Sequence, residues 1–316
     1  MNPSSFFEKP AGGTELQLAA WRAQVPADLQ AKIHLTVSAL LAPKRPLKPH
    51  IFWAHQAHDQ PSVQNLADPL VQRGIDAFVF VSQWQRDQYV ATFGIPIERT
   101  HVVLNAIEPI SPHQKPAGPL RLIYTSTPFR GLDVLLEAWA QLPELDIEIE
   151  LHIYSGMALY GRAAEDVRYQ ALYDRARALP RVHYHGVASN QVVRQALQAS
   201  HIFAYPCTWE ETSCLSLIEV LSAGCLAVVP DLAALPETAA GYATLYPYPQ
   251  DTDIHVVRFT TELLAAIEQY RKQPDETADR LANQVAHFNQ AYSWETRSHA
   301  WVQLLEQIIH QYERPI

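Results

Sequence analysis

The sequence predicts an α/β chain of two parallel-sheet domains that face each other across a cleft. Three observations carry that prediction. Short β-rich runs alternate with helical stretches along most of the 316 residues, the order that a parallel sheet with helices on both faces requires. A break from Pro109 to Pro119 contains four prolines and reads as an interdomain linker. The chain is also long enough for two domains with separate cores.

The elements follow in order. Before the break, Ile33–Ser38, His50–Ala54, Ala77–Val81 and His101–Leu104 read as strands, with helical spacing over Thr14–Ala23 and Gln83–Phe93. After it, Arg121–Thr125, Ile149–Tyr154, Val182–Tyr184, Ile202–Tyr205 and Ala227–Val229 read as strands. Leu132–Gln141, Ala163–Ala178 and Asn190–Ala199 read as the helices between them. The last 30 residues look like two helices, the final one with an apolar stripe of Trp301, Leu304, Leu305, Ile308 and Ile309. The predicted domains are residues 1–112, residues 113–290 and a terminal helical segment, 291–316.

Composition narrows the function classes. The chain is 48% hydrophobic and 18% charged, as in a soluble globular protein, with a net charge of -9. That balance argues against nucleic acid as a partner and allows at most peripheral contact with an anionic membrane. The basic segment Pro43–His50 is the local exception and reads as a solvated loop. Cys207, Cys214 and Cys225 make neither a disulfide framework nor a metal pair, so reduced thiols and a cytoplasmic location are expected. No apolar run is long enough to span a membrane, and Met1–Lys9 lacks the pattern of a signal peptide.

Chemistry concentrates in the run from Pro206 to Glu219. A strand precedes it and a short helix and another strand follow, so its loop lies where doubly wound sheets place ligands. Glu211 and Glu219, one before the helix and one two turns along it, suit a ligand rich in hydroxyls. Glu210 is the alternative to Glu211, and a solvated helix face is the plain reading of both acids. Gly12-Gly13 before a helix lets bare amides approach an anion or forms a simple turn. His55 follows the second strand, with His58 as the alternative, and a structural histidine at a strand end is its plain reading. Arg130-Gly131 closes the Thr125–Arg130 loop, where Ser126 and Thr127 sit, and an exposed Arg at a helix start is its plain reading.

Glu211 and Glu219 carry the Glu-x7-Glu spacing that resembles the signature of group 1 retaining glycosyltransferases (glycosyltransferase family four, GT-B architecture). Gly12-Gly13-Thr14-Glu15 resembles that family's glycine loop, and Arg130-Gly131 its Lys-Gly. Phe80–Trp84 with Asn105–Ile107, His185–Val187 and Asp231–Glu237 resemble further turns in the family's order. The departures are Thr212-Ser213-Cys214 in place of Gly-Phe-Gly, Ala106 in place of Gly, and no Arg ahead of Arg130.

The resemblance implies two Rossmann-like domains, with a reduced N-terminal one because no convincing strand precedes Gly12. It also implies a terminal helix that returns to the N-terminal domain. As donor-binding residues it implies Gly12, Gly13, Ser126, Thr127, Arg130, Gly131, Val187, Glu211, Thr212, Ser213, Cys214, Leu215 and Glu219. Glu211 would contact the sugar and Glu219 the ribose, with His55, Arg130 and Glu211 as the catalytic set. The implied donor is a nucleoside-diphosphate sugar, UDP- or GDP-linked, held in the second domain, and the acceptor is a glycan, a lipid-linked group or a protein. No Asp-x-Asp site is visible, so no metal and no other cofactor is expected. A location in the cytoplasm or at the inner face of the membrane fits these partners. The competing expectations are a nucleotide-sugar-modifying enzyme of the same fold, such as an epimerase, and a non-catalytic nucleotide-sugar-binding subunit.

Overall fold

A computed structural model describes residues 11–40 and 48–313. The run before Gly12 and most of the basic Pro43–His50 segment lie outside the described residues. Two parallel sheets organise the chain. The first contains β1 (His34–Val37), β2 (His50–Trp53), β3 (Ala77–Phe80) and β4 (Thr100–Val102), side by side in chain order. The second contains β5 (Leu120–Thr125), β6 (Ile149–Tyr154), β7 (Val182–Gly186), β8 (Ile202–Ala204), β9 (Leu226–Asp231) and β10 (Thr244–Pro247). Its spatial order is β10-β9-β8-β5-β6-β7. All pairings in both sheets are parallel.

The central strands are apolar along their whole length because helices cover both faces: β3 is buried at every position, as is β8. The edge strand β7 alternates between half-buried and exposed positions, the period-2 pattern of a strand with one open face.

The strand order reverses between β5 and β8. Chain leaving β5 moves to β6 and β7 on one side, whereas β8, β9 and β10 lie on the other. Such a switch point opens a crevice beyond the C-terminal ends of the two strands. The loops that begin at Thr125 and Tyr205 therefore emerge beside each other. Gly131 lets them touch: its φ is 95°, and a Cβ there would lie 1.9 Å from the Pro206 carbonyl oxygen.

The terminal helix Trp294–Glu313 packs against the first sheet. Trp294, Trp301, Leu304, Leu305, Ile308 and Ile309 join Trp21, Val25, Ile51, Trp53 and Val79 in one core. The Trp301 ring lies edge-on to Trp53 at 4.9 Å and to Trp21 at 5.8 Å. The chain thus crosses between the sheets twice, and the crossings are zipped together. Ile107 donates its N–H to the Tyr292 carbonyl at 2.8 Å. Asn289 binds both backbone groups of Ile110, at 2.9 and 3.0 Å.

The predicted elements appear with ends shifted by a residue or two. Residues 163–178 split into 3-10 turns at Ala163–Tyr169 and an α-helix at Gln170–Ala178. The sequence reading does not anticipate β10, the long helix Thr252–Lys272, the short helices Ala27–Ala31, Pro69–Arg73 and Leu235–Ala239, or the length of the Pro274–Ala291 helix, which begins well before the last 30 residues. No helix among the described residues is long and apolar enough to cross a membrane.

Candidate active site

A cavity of about 440 Å³ lies between the two sheets at the switch point. Residues from the Gly13–Gln24 helix, the end of β2, and the loops after β5, β6, β7 and β8 line it. Glu211 is buried at its wall, whereas the neighbouring Glu210 is exposed. The Glu211 Oε1 accepts from Arg130 Nη1 at 2.8 Å and from the Tyr205 hydroxyl at 2.7 Å. The Tyr205 oxygen in turn lies 3.3 Å from Ser126 Oγ.

Charge in this corner is well defined. Burial works against the Arg130 cation, but Glu211 beside it more than compensates and holds the guanidinium firmly protonated. Burial pushes the Tyr205 phenol well above its usual range, so it stays a donor. The same cause pushes the Cys207 thiol up to about 12 and raises Cys214 and Cys225, so all three buried cysteines are neutral thiols. The Phe129 and Trp209 rings flank the Arg130 guanidinium at 5.6 and 5.9 Å, contacts that orient a cation in a dry site.

Eight residues along, Glu219 sits on the Leu215–Ser222 helix with Oε1 2.6 Å from Arg194 Nη1. Arg194 also donates to the Glu108 carbonyl at 2.7 Å, which ties this carboxylate to the crossing between the sheets.

The opposite wall comes from the first sheet. His55 packs its ring 4.4 Å from that of Trp53, and burial lowers its pKa to about 3, so the imidazole is neutral. Its carbonyl accepts from Thr212 Oγ1 at 2.9 Å, and Asn105 Nδ2 donates to the Ser213 carbonyl at 3.3 Å. Gly13 allows another close approach, because a Cβ there would meet Leu215 Cδ1 at 2.8 Å. The Glu237 carboxylate accepts from the backbone N–H groups of Gln83 and Trp84 at 2.8 and 3.0 Å. It therefore caps the Gln83–Phe93 helix from across the cleft.

Several cavity-lining residues carry buried polar atoms with no protein partner: His55 Nε2, Asn105 Oδ1, Thr125 Oγ1, Thr127 Oγ1, Arg130 Nε and Ser155 Oγ. This set mixes donors with acceptors, which matches a ligand bearing both hydroxyls and anionic oxygens.

Residues 120–267 match the model of the family described as glycosyl transferases group 1. That segment is a group 1 glycosyltransferase domain. A comparison of the sequence with curated proteins returned no match. The fold is similar to solved glycosyltransferase structures of GT-B architecture. HepE from Anabaena, crystallised with UDP-glucose, is 18% identical with a TM-score of 0.65, over 82% of this chain and 72% of that one. A glycosyltransferase from Rickettsia africae is 12% identical with a TM-score of 0.68, over 93% and 82%. Sucrose-phosphate synthase from Thermosynechococcus elongatus is 19% identical with a TM-score of 0.59, over 83% and 68%.

Within the glycosyltransferase domain and its partner sheet, the cavity gathers most residues singled out from sequence. His55, Gly13, Ser126, Thr127, Arg130, Val187, Glu211, Thr212, Ser213, Cys214, Leu215 and Glu219 line it. Gly12 and Gly131 do not: a Cβ on Gly12 would meet the Tyr160 ring, and Gly131 serves the loop contact with Pro206. His58 stands outside the lining, edge-on to Trp84. Sequence reasoning misses Tyr205 and Arg194 as site residues, and it includes Asn105 and Glu237 only as parts of family-like turns, without their partners across the cleft. Tyr205 was read only as the end of an apolar strand, and the other three act through partners far away in the chain.

Proposed function

We propose that the protein is a retaining glycosyltransferase. It moves a hexosyl group from a UDP- or GDP-linked donor to a glycan, lipid-linked or protein acceptor, in surface polysaccharide or glycoconjugate synthesis. The observation that carries this reading is Glu211, held by Arg130 and Tyr205 amid buried polar atoms that have no protein partner. Each such atom costs about 1–3 kcal/mol if left unmade, and a nucleoside-diphosphate sugar offers partners to donors and acceptors alike. HepE, crystallised with UDP-glucose, supports a uridine nucleotide as the first donor to try.

Residues 113–290 hold the donor in this reading, residues 1–112 face the acceptor, and residues 291–316 return to close the first domain. Glu219 takes the ribose hydroxyls and Val187 lies near the base. Glu211 takes a sugar hydroxyl through its second oxygen. As the glycosidic bond breaks, positive charge builds on the ring and negative charge on the departing diphosphate. Arg130 meets that negative charge with Nε while Nη1 stays on Glu211, and the amides of 212–215 and of Gly13 add fixed donors. Neutral His55 donates or accepts one hydrogen bond on the sugar face without adding charge. The guanidinium does here what a metal does elsewhere, so no divalent ion is needed for transfer. The enzyme works in the cytoplasm, at the inner face of the membrane where its acceptor is lipid-linked.

The test is a thermal-shift panel of UDP-, GDP- and ADP-sugars, followed by the anomeric configuration of the product by NMR. One nucleotide class should raise the melting midpoint, and the product should keep the donor configuration. Isomerisation of the donor without acceptor would make the protein an epimerase. Donor binding without transfer across an acceptor panel would make it a nucleotide-sugar-binding subunit.

A further inference from the structure

Strands β6 and β7 bring together a group of side chains that the transfer reaction does not use. His152 and His183 are direct partners in the register of the two strands. Glu150 lies two residues before His152, so the period of two puts it on the same face. His185 lies two residues after His183 on that face and stacks on His152, with ring centroids 5.3 Å apart and planes 7° apart. Ligand atoms of Glu150, His152 and His183 all lie within 4.8 Å of one another. His152 Nε2 is 3.4 Å from Glu150 Oε2, and His183 Nε2 is 3.9 Å from Glu150 Oε1.

We propose that Glu150, His152 and His183 form a binding site for a divalent transition-metal ion of the zinc type. Imidazole nitrogens and a carboxylate are the donor set that such ions favour. Tetrahedral zinc bonds of about 2.0–2.2 Å place neighbouring donors roughly 3.3–3.5 Å apart. One distance here already has that value, and small rotamer changes bring the others in. The site is reachable, because the His183 side chain is 47% exposed and the Glu150 side chain 29%.

His185 is the positioning residue. Its Nε2 lies 3.0 Å from His152 Nδ1. A His152 proton held on Nδ1 and donated to His185 leaves the Nε2 lone pair aimed at Glu150 and His183. Two acceptors facing each other at that point are stabilised by a cation between them. Fixing the tautomer of a ligating histidine through its other nitrogen is how metal sites are oriented. Without the ion, the same proton sits on Nε2 and is donated to Glu150, so binding shifts the His152 tautomer with no net change in protons. Arg121 Nε, 3.8 Å from Glu150 Oε2, opposes the cation's charge while helping to hold the carboxylate. Tyr154 stacks on His185 at 4.4 Å and also lines the cleft, so the site adjoins the donor cavity without supplying a residue to it.

The test uses the untagged full chain stripped with chelator and titrated with zinc by calorimetry, with cobalt absorption as a second readout. The wild type should bind one equivalent and give the intense visible bands of tetrahedral cobalt. His152→Ala, His183→Ala and Glu150→Gln should each weaken zinc binding at least about tenfold. His185→Ala should weaken it by roughly 10–100-fold while the cobalt band positions stay the same, since the ligand set is intact. Circular dichroism and the melting midpoint confirm that each variant folds. A folded His152→Ala/His183→Ala double variant with wild-type affinity and stoichiometry would overturn the site, as would a wild type that binds no zinc.

Discussion

Arg130 and Glu211 are bonded to each other across the switch point, with Nη1 2.8 Å from Oε1. The cation expected to grip the diphosphate and the acid expected to hold the sugar thus form one unit, and neither can be altered alone.

The first prediction follows from that pairing. Arg130→Ala should abolish measurable transfer and lower stability by roughly 3 kcal/mol, because it strands a buried carboxylate. Arg130→Lys keeps the charge but loses the fork and should recover only part of the activity. Glu211→Gln should lower turnover more than it lowers diphosphate affinity. Kinetics and melts of the single and double variants should give a coupling of about 1–3 kcal/mol between the two sites. Additive effects would show that the pair does not act as a unit. Transfer should survive chelator, and strict dependence on magnesium or manganese would mean that the phosphate site is built differently.

Glu219 has a different dependence. Its carboxylate is fixed by Arg194 rather than by Arg130. Glu219→Ala should weaken the bare nucleoside diphosphate as much as the full donor. Loss of a charged hydrogen bond costs about 1.5–3 kcal/mol, or roughly 10–150-fold in affinity. Calorimetry with UDP and GDP alone checks this, and unchanged affinity in a folded variant removes Glu219 from the ribose site.

Acid should destabilise the fold through three histidines. Burial lowers His55 to about 3 and His201 and His255 to about 4. An unfolded histidine takes up its proton near 6.5, so the unfolded chain binds more protons between that value and the folded one. Stability is therefore full above pH 6.5 and is lost as pH falls from there toward 4. Each such histidine costs on the order of 1 kcal/mol one unit below 6.5. His201 makes the cause concrete, because its Nδ1 accepts the Arg121 N–H at 3.0 Å and cannot do so once protonated. Melting midpoints should drop between pH 7 and 5, less steeply in His201→Asn, whose amide oxygen can accept the same bond. A flat wild-type profile would contradict the assignment.

Glu237 bridges the cleft by capping the Gln83–Phe93 helix from the side of the six-stranded sheet. Glu237→Ala should loosen closure by about 1 kcal/mol, the usual worth of a helix cap. Small-angle scattering should show a larger radius of gyration for this variant without donor, and compaction when donor is added. Equal radii for the variant and the wild type, with and without donor, would argue that the cleft does not open by hinge motion.

The sequence makes the architecture legible where the physics is local. Alternation of short apolar runs with helical stretches identifies nine of the ten strands, because each run carries its own period. The strand Thr244–Pro247 escapes because it is four residues long at the sheet edge and ends in proline. The Thr252–Lys272 helix has a readable stripe of buried residues, Val256, Phe259, Leu263 and Ile267, yet it went unassigned among its polar neighbours. At the site, the Glu211 and Glu219 spacing is visible because it falls within a single loop and helix. Tyr205, Arg194 and Asn105 are not visible as partners, because two strands or two domains must first be brought side by side.

The terminal helix also sets an order of events during synthesis. Trp301 lies between Trp21 and Trp53, nearly the whole chain apart in sequence. The core of the six-stranded sheet draws only on residues from Leu104 to Tyr292, so it can close before the terminal helix has left the ribosome. The four-stranded sheet cannot: one of its faces waits for the last twenty or so residues described. The half made first is therefore finished last, reversing the usual N-to-C order of domain folding. While the terminal helix is still inside the ribosome, the chain holds a second half able to fold and a first half whose Trp21 and Trp53 indoles remain open to chaperones or to aggregation.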